Sequence, residues 1–350
     1  LIPQDFSSEW IDLKWSQCVI RNSAGVQVLN APFGNLTIPR TQSSSTATWD
    51  APPVEGDNIQ VSNGLFDDIQ MSTKRLTSMV PVSNQLIFQS PLAVEQRVLK
   101  MMTNYMVRGE DAAFLGFPLN GTSGVGGVPY GLKTLASTQN ILTFTGDYTV
   151  LKNIQQFLWS MVTTLSSQNI DVNGSVWYMH PLVKGFLGSI TDSVGRPFFQ
   201  GLQSMNDDGE LMGLKVLTTT HIPSNLGTGT YEVGNSAVTA YNTDIFLAQP
   251  KEFLIADTMR METSTSSEAT YLDTGNSNAV VSAYQRYQTV FRNIEFVDFN
   301  ITHPFAVVVG TAPFIPSYVA NSVLSNSAVV YNTQPPLMGN SAAGSAVYTP

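Results

Sequence analysis

From Leu36 to about Ser83 the chain reads as a long polar hairpin that lacks the side chains for a core of its own. The outward arm begins Leu36-Thr-Ile-Pro-Arg40, passes a Ser/Thr-rich stretch to Trp49-Asp50, and reaches Val54-Glu55-Gly56-Asp57. It returns through Asn63-Gly64-Leu65-Phe66 into Asp68-Ile-Gln-Met-Ser-Thr-Lys-Arg-Leu76 and Met79-Val-Pro-Val-Ser83. A two-stranded ribbon is marginal alone in water. Such a ribbon takes its order from a neighbouring molecule, so the sequence predicts an assembly arm.

The remainder can bury a sizeable core, because 43% of the 350 residues are hydrophobic and only 12% are charged. So little charge is unusual for an independent soluble chain. It suits a subunit whose surface is covered by other subunits, where charges are expensive to desolvate. A secreted β-rich protein shares the same balance. The formal net charge is −9, and the densest basic pair is Lys74-Arg75. Wrapping nucleic acid electrostatically needs a basic face, so specific nucleic-acid binding is not expected. The single Cys18 excludes an internal disulfide framework. The strongest apolar run, Phe305–Val309, is too short to span a bilayer, and no signal-peptide pattern opens the chain. No membrane partner is expected.

Residues 1–35, with Trp10 and Trp15, show no steady hydrophobic period and read as an extended arm. Ser90-Pro91 opens a long helix, with Val94, Val98, Met101 and Tyr105 on an inner stripe. Arg97, Lys100, Asn104, Arg108 and Asp111 fall on its opposite, polar face. Glycines and prolines from Gly116 to Gly131 make a loop. A second helix is predicted from about Tyr148 to Ser166, capped by Asp147, with Leu151, Ile154, Leu158, Met161 and Leu165 inward. Val176–Met179 is a strand, and Pro181 starts a third helix carrying Val183, Phe186, Leu187 and Ile190. Strands then dominate: Leu214–Thr220, Asp244–Ala248, Phe253–Glu262, Tyr284–Phe299 and Phe305–Val309. Few helices with strands far apart in sequence make an α+β fold. From about Ala312 onward a Ser/Asn/Ala/Pro-rich tail follows.

No active site emerges. His180, His221 and His303 each sit beside a turn or proline, without a nucleophile-elbow pattern, and are expected to cap or turn. Cys18 lacks basic company and is not expected to be reactive. Asn206-Asp207-Asp208-Gly209-Glu210 lacks the spacing of a calcium loop and reads as a polar turn. Gly121–Gly127 is not followed by Gly-Lys-Ser/Thr and so is no phosphate cradle. Asp67 and Asp68 are neighbours on a strand and face opposite sides. The N-x-S/T matches at Asn35, Asn120, Asn173 and Asn300 arise by chance in so Asn- and Thr-rich a chain. No enzyme, cofactor or metal is expected.

The order of segments resembles the major capsid protein family of tailed bacteriophages, whose fold is shared with encapsulins and the herpesvirus capsid floor. The residues that carry the likeness are Ile38-Pro39, Trp49, Glu55-Gly56, Lys74, Val82-Ser83 and Pro129-Tyr-Gly-Leu132. Gly213-Leu-Lys-Val216, Ile222-Pro223, Phe291-Arg292 and Pro304-Phe-Ala306-Val-Val continue it, so it spans roughly Asn30 to Thr311. The resemblance implies the tailed-phage major capsid fold. Its parts would be an N-terminal arm (1–35), an extended hairpin loop or E-loop with its base (36–83), and a peripheral domain (84–145 with 251–311). That domain would hold a spine helix over 91–115. An axial domain (146–250) and a C-terminal extension (312–350) complete the plan.

It further implies hexamers and pentamers tiling an icosahedral virion shell around double-stranded DNA, assembled in the host cytoplasm. The implied partners are the chain itself, a scaffold segment, a maturation protease, a portal and a decoration protein. A start at Leu1 rather than methionine then fits either a cleavage product or a fragment of a longer chain. Contacts are expected from Trp10 and Trp15 in the arm, and from Trp49, Glu55 and Phe66 in the hairpin. Lys74 is expected to meet an acidic partner such as a neighbour's Glu55. Axial contacts are expected near Ser204–Glu210 and Gly227–Asn235. Some members weld subunits through a loop lysine, but residues 41–73 contain no lysine, so a non-covalent lattice is expected. The alternatives are an encapsulin-type compartment shell and, in a different class, a secreted β-rich surface-binding protein.

Overall fold

The structure, a computed structural model, describes residues 18–43, 64–89, 94–192, 194–204, 208–233, 236–273 and 279–315. In chain order its strands begin with β1 (Gln27–Asn30), β2 (Asn35–Ser43), β3 (Leu65–Ser72), β4 (Lys74–Ser83) and β5 (Ile141–Thr143). They continue with β6 (Val176–Met179), β7 (Glu210–Leu211), β8 (Leu214–Thr218), β9 (Thr228–Val233), β10 (Ser236–Tyr241) and β11 (Thr243–Ala248). The last are β12 (Phe253–Ser266), β13 (Thr270–Asp273), β14 (Ala279–Ser282), β15 (Gln288–Ile301) and β16 (Val307–Ala312). The helices are α1 (Asn84–Gln89), α2 (Val94–Leu115), α3 (Leu132–Leu135), α4 (Leu151–Ser167) and α5 (Pro181–Ser189).

A six-stranded sheet ordered β5-β16-β11-β6-β8-β7 forms a wall between two cores. Successive side chains of a strand point to opposite faces. Accordingly Trp177, Met179, Ile245, Leu247 and Val308 enter one core, while Val176, Tyr178, Phe246, Ala248, Val307 and Val309 enter the other. The first core is closed by Ile154, Leu158, Met161 and Leu165 of α4 and by Val183 and Leu187 of α5. The second is closed by Phe114 and Leu115 of α2 and by a four-stranded sheet, β1-β12-β15-β4, through Phe253, Ile255, Val297, Phe299 and Ile301. Phe114 stacks on Phe299 with centroids 4.8 Å apart. Strands β2–β3, β9–β10 and β13–β14 form separate two-stranded ribbons. The α+β class holds.

Several local expectations change. The inner stripe of α2 is Val94, Met102 and Met106, one residue beyond the expected Met101 and Tyr105, which are half-buried. Its last two turns are buried all round from Gly109 to Leu115, so Asp111, expected on a solvated face, has no exposure. The first spine residues, with Ser90 and Pro91, lie outside the described residues. Asp147 does not cap α4: its carboxylate accepts from the N–H and hydroxyl of Thr149, and the capping position, Val150, makes no side-chain cap. The stretch from Gly227, expected as loop, is largely the β9–β10 ribbon, whose Tyr231 is buried against Phe144 and Tyr148. The closing strand runs to Ala312 and pairs with β5 and β11, so an expected boundary at residue 311 falls inside it.

The loop after α2 is held by close backbone approach. A Cβ on Gly131 would lie 2.3 Å from the Gly116 Cα, and Gly116 itself has φ +99°. Only glycine leaves room there.

Candidate assembly surface

The hairpin is anchored at its base, and its described outer residues are exposed. Strand β2 pairs antiparallel with β3, from Asn35 opposite Ser72 to Ser43 opposite Leu65. Near the base, Ile69 and Met71 are buried with Ala31, Leu254 and Ala256, and Leu36 and Ile38 pack against them. The expectation of a hairpin without any core is therefore corrected: alternate residues Ile69 and Met71 share one face and reach β12. Arg40 adds polar ties, donating to the Thr302 carbonyl at 3.0 Å and to the Asp67 carboxylate at 2.7 Å. That guanidinium holds the Asp67 carboxyl below the usual carboxylate range. Farther out, Leu65 is exposed and Phe66 is 81% exposed.

Both hairpin strands leave the body at one crossing. The Thr73 N–H donates to the Gly34 carbonyl at 2.8 Å, and its hydroxyl meets the Thr258 hydroxyl at 2.7 Å. The Ser72 N–H donates to the buried carboxylate of Asp298 at 2.8 Å. Burial raises the Asp298 carboxyl, opposed by the Ser72 and Phe299 N–H groups and by the charge of Lys74. Lys74 is half-buried at the first position of β4. Trp10, Trp15, Trp49 and Glu55 lie outside the described residues.

A second anchor fixes the segment that follows the N-terminal arm, and sequence reasoning missed it. Two consecutive carboxylates in the last turn of α2 hold it. Asp111 accepts from the N–H groups of Val19 and Ile20 at 3.0 and 2.9 Å, and from the Cys18 thiol at 3.3 Å. Its other oxygen meets His221 Nδ1 at 2.8 Å. Glu110 and Asp257 share the guanidinium of Arg21, whose Nε donates to Glu110 at 2.9 Å and whose Nη1 donates to Asp257 at 2.9 Å. Ser23 meets the buried Tyr178 hydroxyl at 2.6 Å. The signal was present in the Glu110-Asp111 pair beside an apolar Ala-Ala-Phe-Leu run, which marks a buried turn.

None of this supplies chemistry for catalysis. Burial pushes the Cys18 thiol up to about 12, with the nearby Asp111 charge adding to it. His180 caps α5, accepting from the Leu182 N–H at 3.1 Å, and burial pushes its imidazole down to about 4. His221 stands in the turn after β8, as expected, and its ring is also the buried partner of Asp111. His303 pairs with Glu252 at 2.8 Å on the surface. Asp208 pairs with Lys215 at 3.0 Å. Among the described residues no three metal-binding side chains cluster, and no helix is long and apolar enough to cross a membrane.

The chain matches the model of the phage capsid family over residues 1–312. A major capsid protein of Klebsiella oxytoca phage phiKO2 is 31% identical over 314 residues, which are 89% of this chain and 67% of that protein. In fold it is similar to a chain of Mycobacterium phage Ogopogo, with TM-score 0.67 and 12% identity over 89% of this chain and 96% of that one. The capsid of a native GTA particle gives TM-score 0.65 and 16% identity over 89% and 95%. At such identities the structures establish the fold, and the family match establishes descent: the chain belongs to the phage capsid family.

Proposed function

We propose that the chain builds the virion shell as its major structural subunit, grouped in hexamers and pentamers around double-stranded DNA. The observation that carries this reading is the hairpin: a base locked to its own subunit and, farther out on β3, an exposed Phe66. An arm anchored in this way can only lower its free energy by resting on another molecule. In this plan residues 84–145 with 251–311 form the peripheral portion, 146–250 the axial portion, and the arm, hairpin and C-terminal extension bind neighbours. Scaffold, protease, portal and decoration protein are the partners such a shell would take. The role is mechanical, with no catalytic step.

Expression of the full chain, followed by light-scattering chromatography and negative-stain microscopy, tests this reading. Closed shells or ring-shaped capsomers are expected. A stable monomer whose 36–83 hairpin resists protease would sink it. The absence of lysine from residues 41–73 supports a lattice without loop cross-links. Mature particles boiled in detergent should then run as single subunits on a denaturing gel.

A further inference from the structure

Beside the last turns of α2 lies a cavity of about 580 Å³, a size typical of small-ligand sites. Its walls include Arg108, Phe117, Leu119, Thr134, His221 and Pro223, and no acidic side chain lines it. His221 brings an unmet need to this wall. Its Nδ1 carries the hydrogen shared with Asp111, so Nε2 is left as an acceptor. That atom is buried and finds no donor among the described residues. An unmet buried acceptor destabilises the chain until a donor reaches it. The fitting occupant is largely apolar and carries one N–H or O–H.

The chain supplies such a group next to the cavity. Asp111 holds the Cys18 thiol on one oxygen and His221 on the other, so the arm joins the described fold beside this wall. On the arm side of Cys18 the nearest aromatic residue is Trp15, three positions away. Three extended residues span roughly 10 Å. Cys18 and His221 contact the same carboxylate, so that reach is ample. An indole is a large apolar ring whose single polar group only donates. A guanidinium such as that of Arg108 is also attracted to its face.

We propose that Trp15 fills this cavity in its own subunit and donates its indole N–H to His221 Nε2. The exit of the arm is then fixed twice, and residues 1–14 are left to reach neighbours. The inference concerns a single subunit and stands apart from the shell reading.

Lys14 supplies the readout, because trypsin reaches the Lys14–Trp15 bond only when the ring is out of the cavity. The full chain is digested at low concentration and followed by mass spectrometry. Each rate is divided by that of the same chain unfolded in urea. Cleavage then tracks the open population, and Trp15→Ala should cut at least about ten-fold faster than wild type. Trp15→Phe, which keeps a ring and loses the donor, should fall between them. Thr122→Trp sets a competing ring at the exposed rim of the cavity and should speed cleavage too, whereas Thr163→Trp, exposed on α4, should match wild type. Equal rates for wild type and Trp15→Ala overturn the docking, and Thr122→Trp at the wild-type rate places the ring elsewhere. Trp15→Phe at the wild-type rate overturns the pairing with His221. Protection that fades on dilution means that a second copy supplies the ring, and overturns the assignment to its own subunit.

Discussion

Asp111 and His221 stand 110 residues apart in sequence and meet at 2.8 Å with both side chains buried. Because a carboxylate only accepts, His221 Nδ1 carries the hydrogen between them. The same carboxylate holds the N–H groups of Val19 and Ile20, so one side chain ties α2, the strand-end loop at His221 and the exit of the arm. Asp111→Ala leaves three buried donors without an acceptor. The expected loss is about 3–5 kcal/mol in urea unfolding of the subunit, with new protease cleavage next to Cys18. A loss near zero would show that the junction is wet rather than buried.

Glu110 gives the subunit a pH dependence of defined sign. Burial pushes its carboxyl up to about 7 from an ordinary 4.5, while Arg21 pulls the other way. The folded state then binds the proton more tightly than the unfolded one. The stabilisation is present in full below 4.5 and is lost as pH rises through 7. His180, pushed down to about 4, works in the opposite sense between 4 and 6.5. The quantity to measure is therefore wild-type stability minus that of Glu110→Gln, by urea titration from pH 5 to 8. This difference should fall with rising pH; a flat line would contradict the assignment.

Ile69 and Phe66 share one strand and should separate folding from assembly. Ile69 is buried at the hairpin base, so Ile69→Ala should cost the subunit about 2 kcal/mol. Phe66 is exposed, so Phe66→Ala should change the subunit by less than about 0.5 kcal/mol. Shell yield, read by light scattering, should drop for Phe66→Ala all the same. A reversal of the two stability effects would mean that the strand is turned over.

Gly131→Ala should be poorly tolerated. The added carbon would sit 2.3 Å from the Gly116 Cα and 2.5 Å from the Ala113 carbonyl oxygen, all of it backbone. No side chain can swing away to relieve this. The variant should melt well below wild type, by roughly 5 °C or more for a loss of several kcal/mol.

Helix α4 was legible in the sequence because its apolar positions Ile154, Leu158, Met161 and Leu165 recur at one helical period against a single core. The stripe of α2 was misplaced by one residue because methionines stand at 101, 102 and 106, and periodicity alone cannot choose among them. Its buried acids were misjudged for a different reason, although the apolar run beside them marks a buried turn. Charge is read as solvated unless its partner is known, and the partners at Arg21 and His221 lie far off in sequence. The β9–β10 ribbon is rich in Thr and Gly, which read as loop until Tyr231 is seen packing on Phe144. Of the candidate contact residues, Phe66 is exposed on the hairpin, and Lys74 is half-buried at the start of β4.

The wall shared by the two cores also sets a timetable for synthesis. Its strand β16 lies between β5 and β11, yet it is made up of residues 307–312. A growing polypeptide at ~5–20 residues per second takes roughly 9–35 s to pass from β5 to the end of β16. Until then neither core can close, since Val307 and Val309 are missing from one and Val308 from the other. A chain still short of residue 307 thus has neither core finished, and its surfaces take shape only once β16 is made.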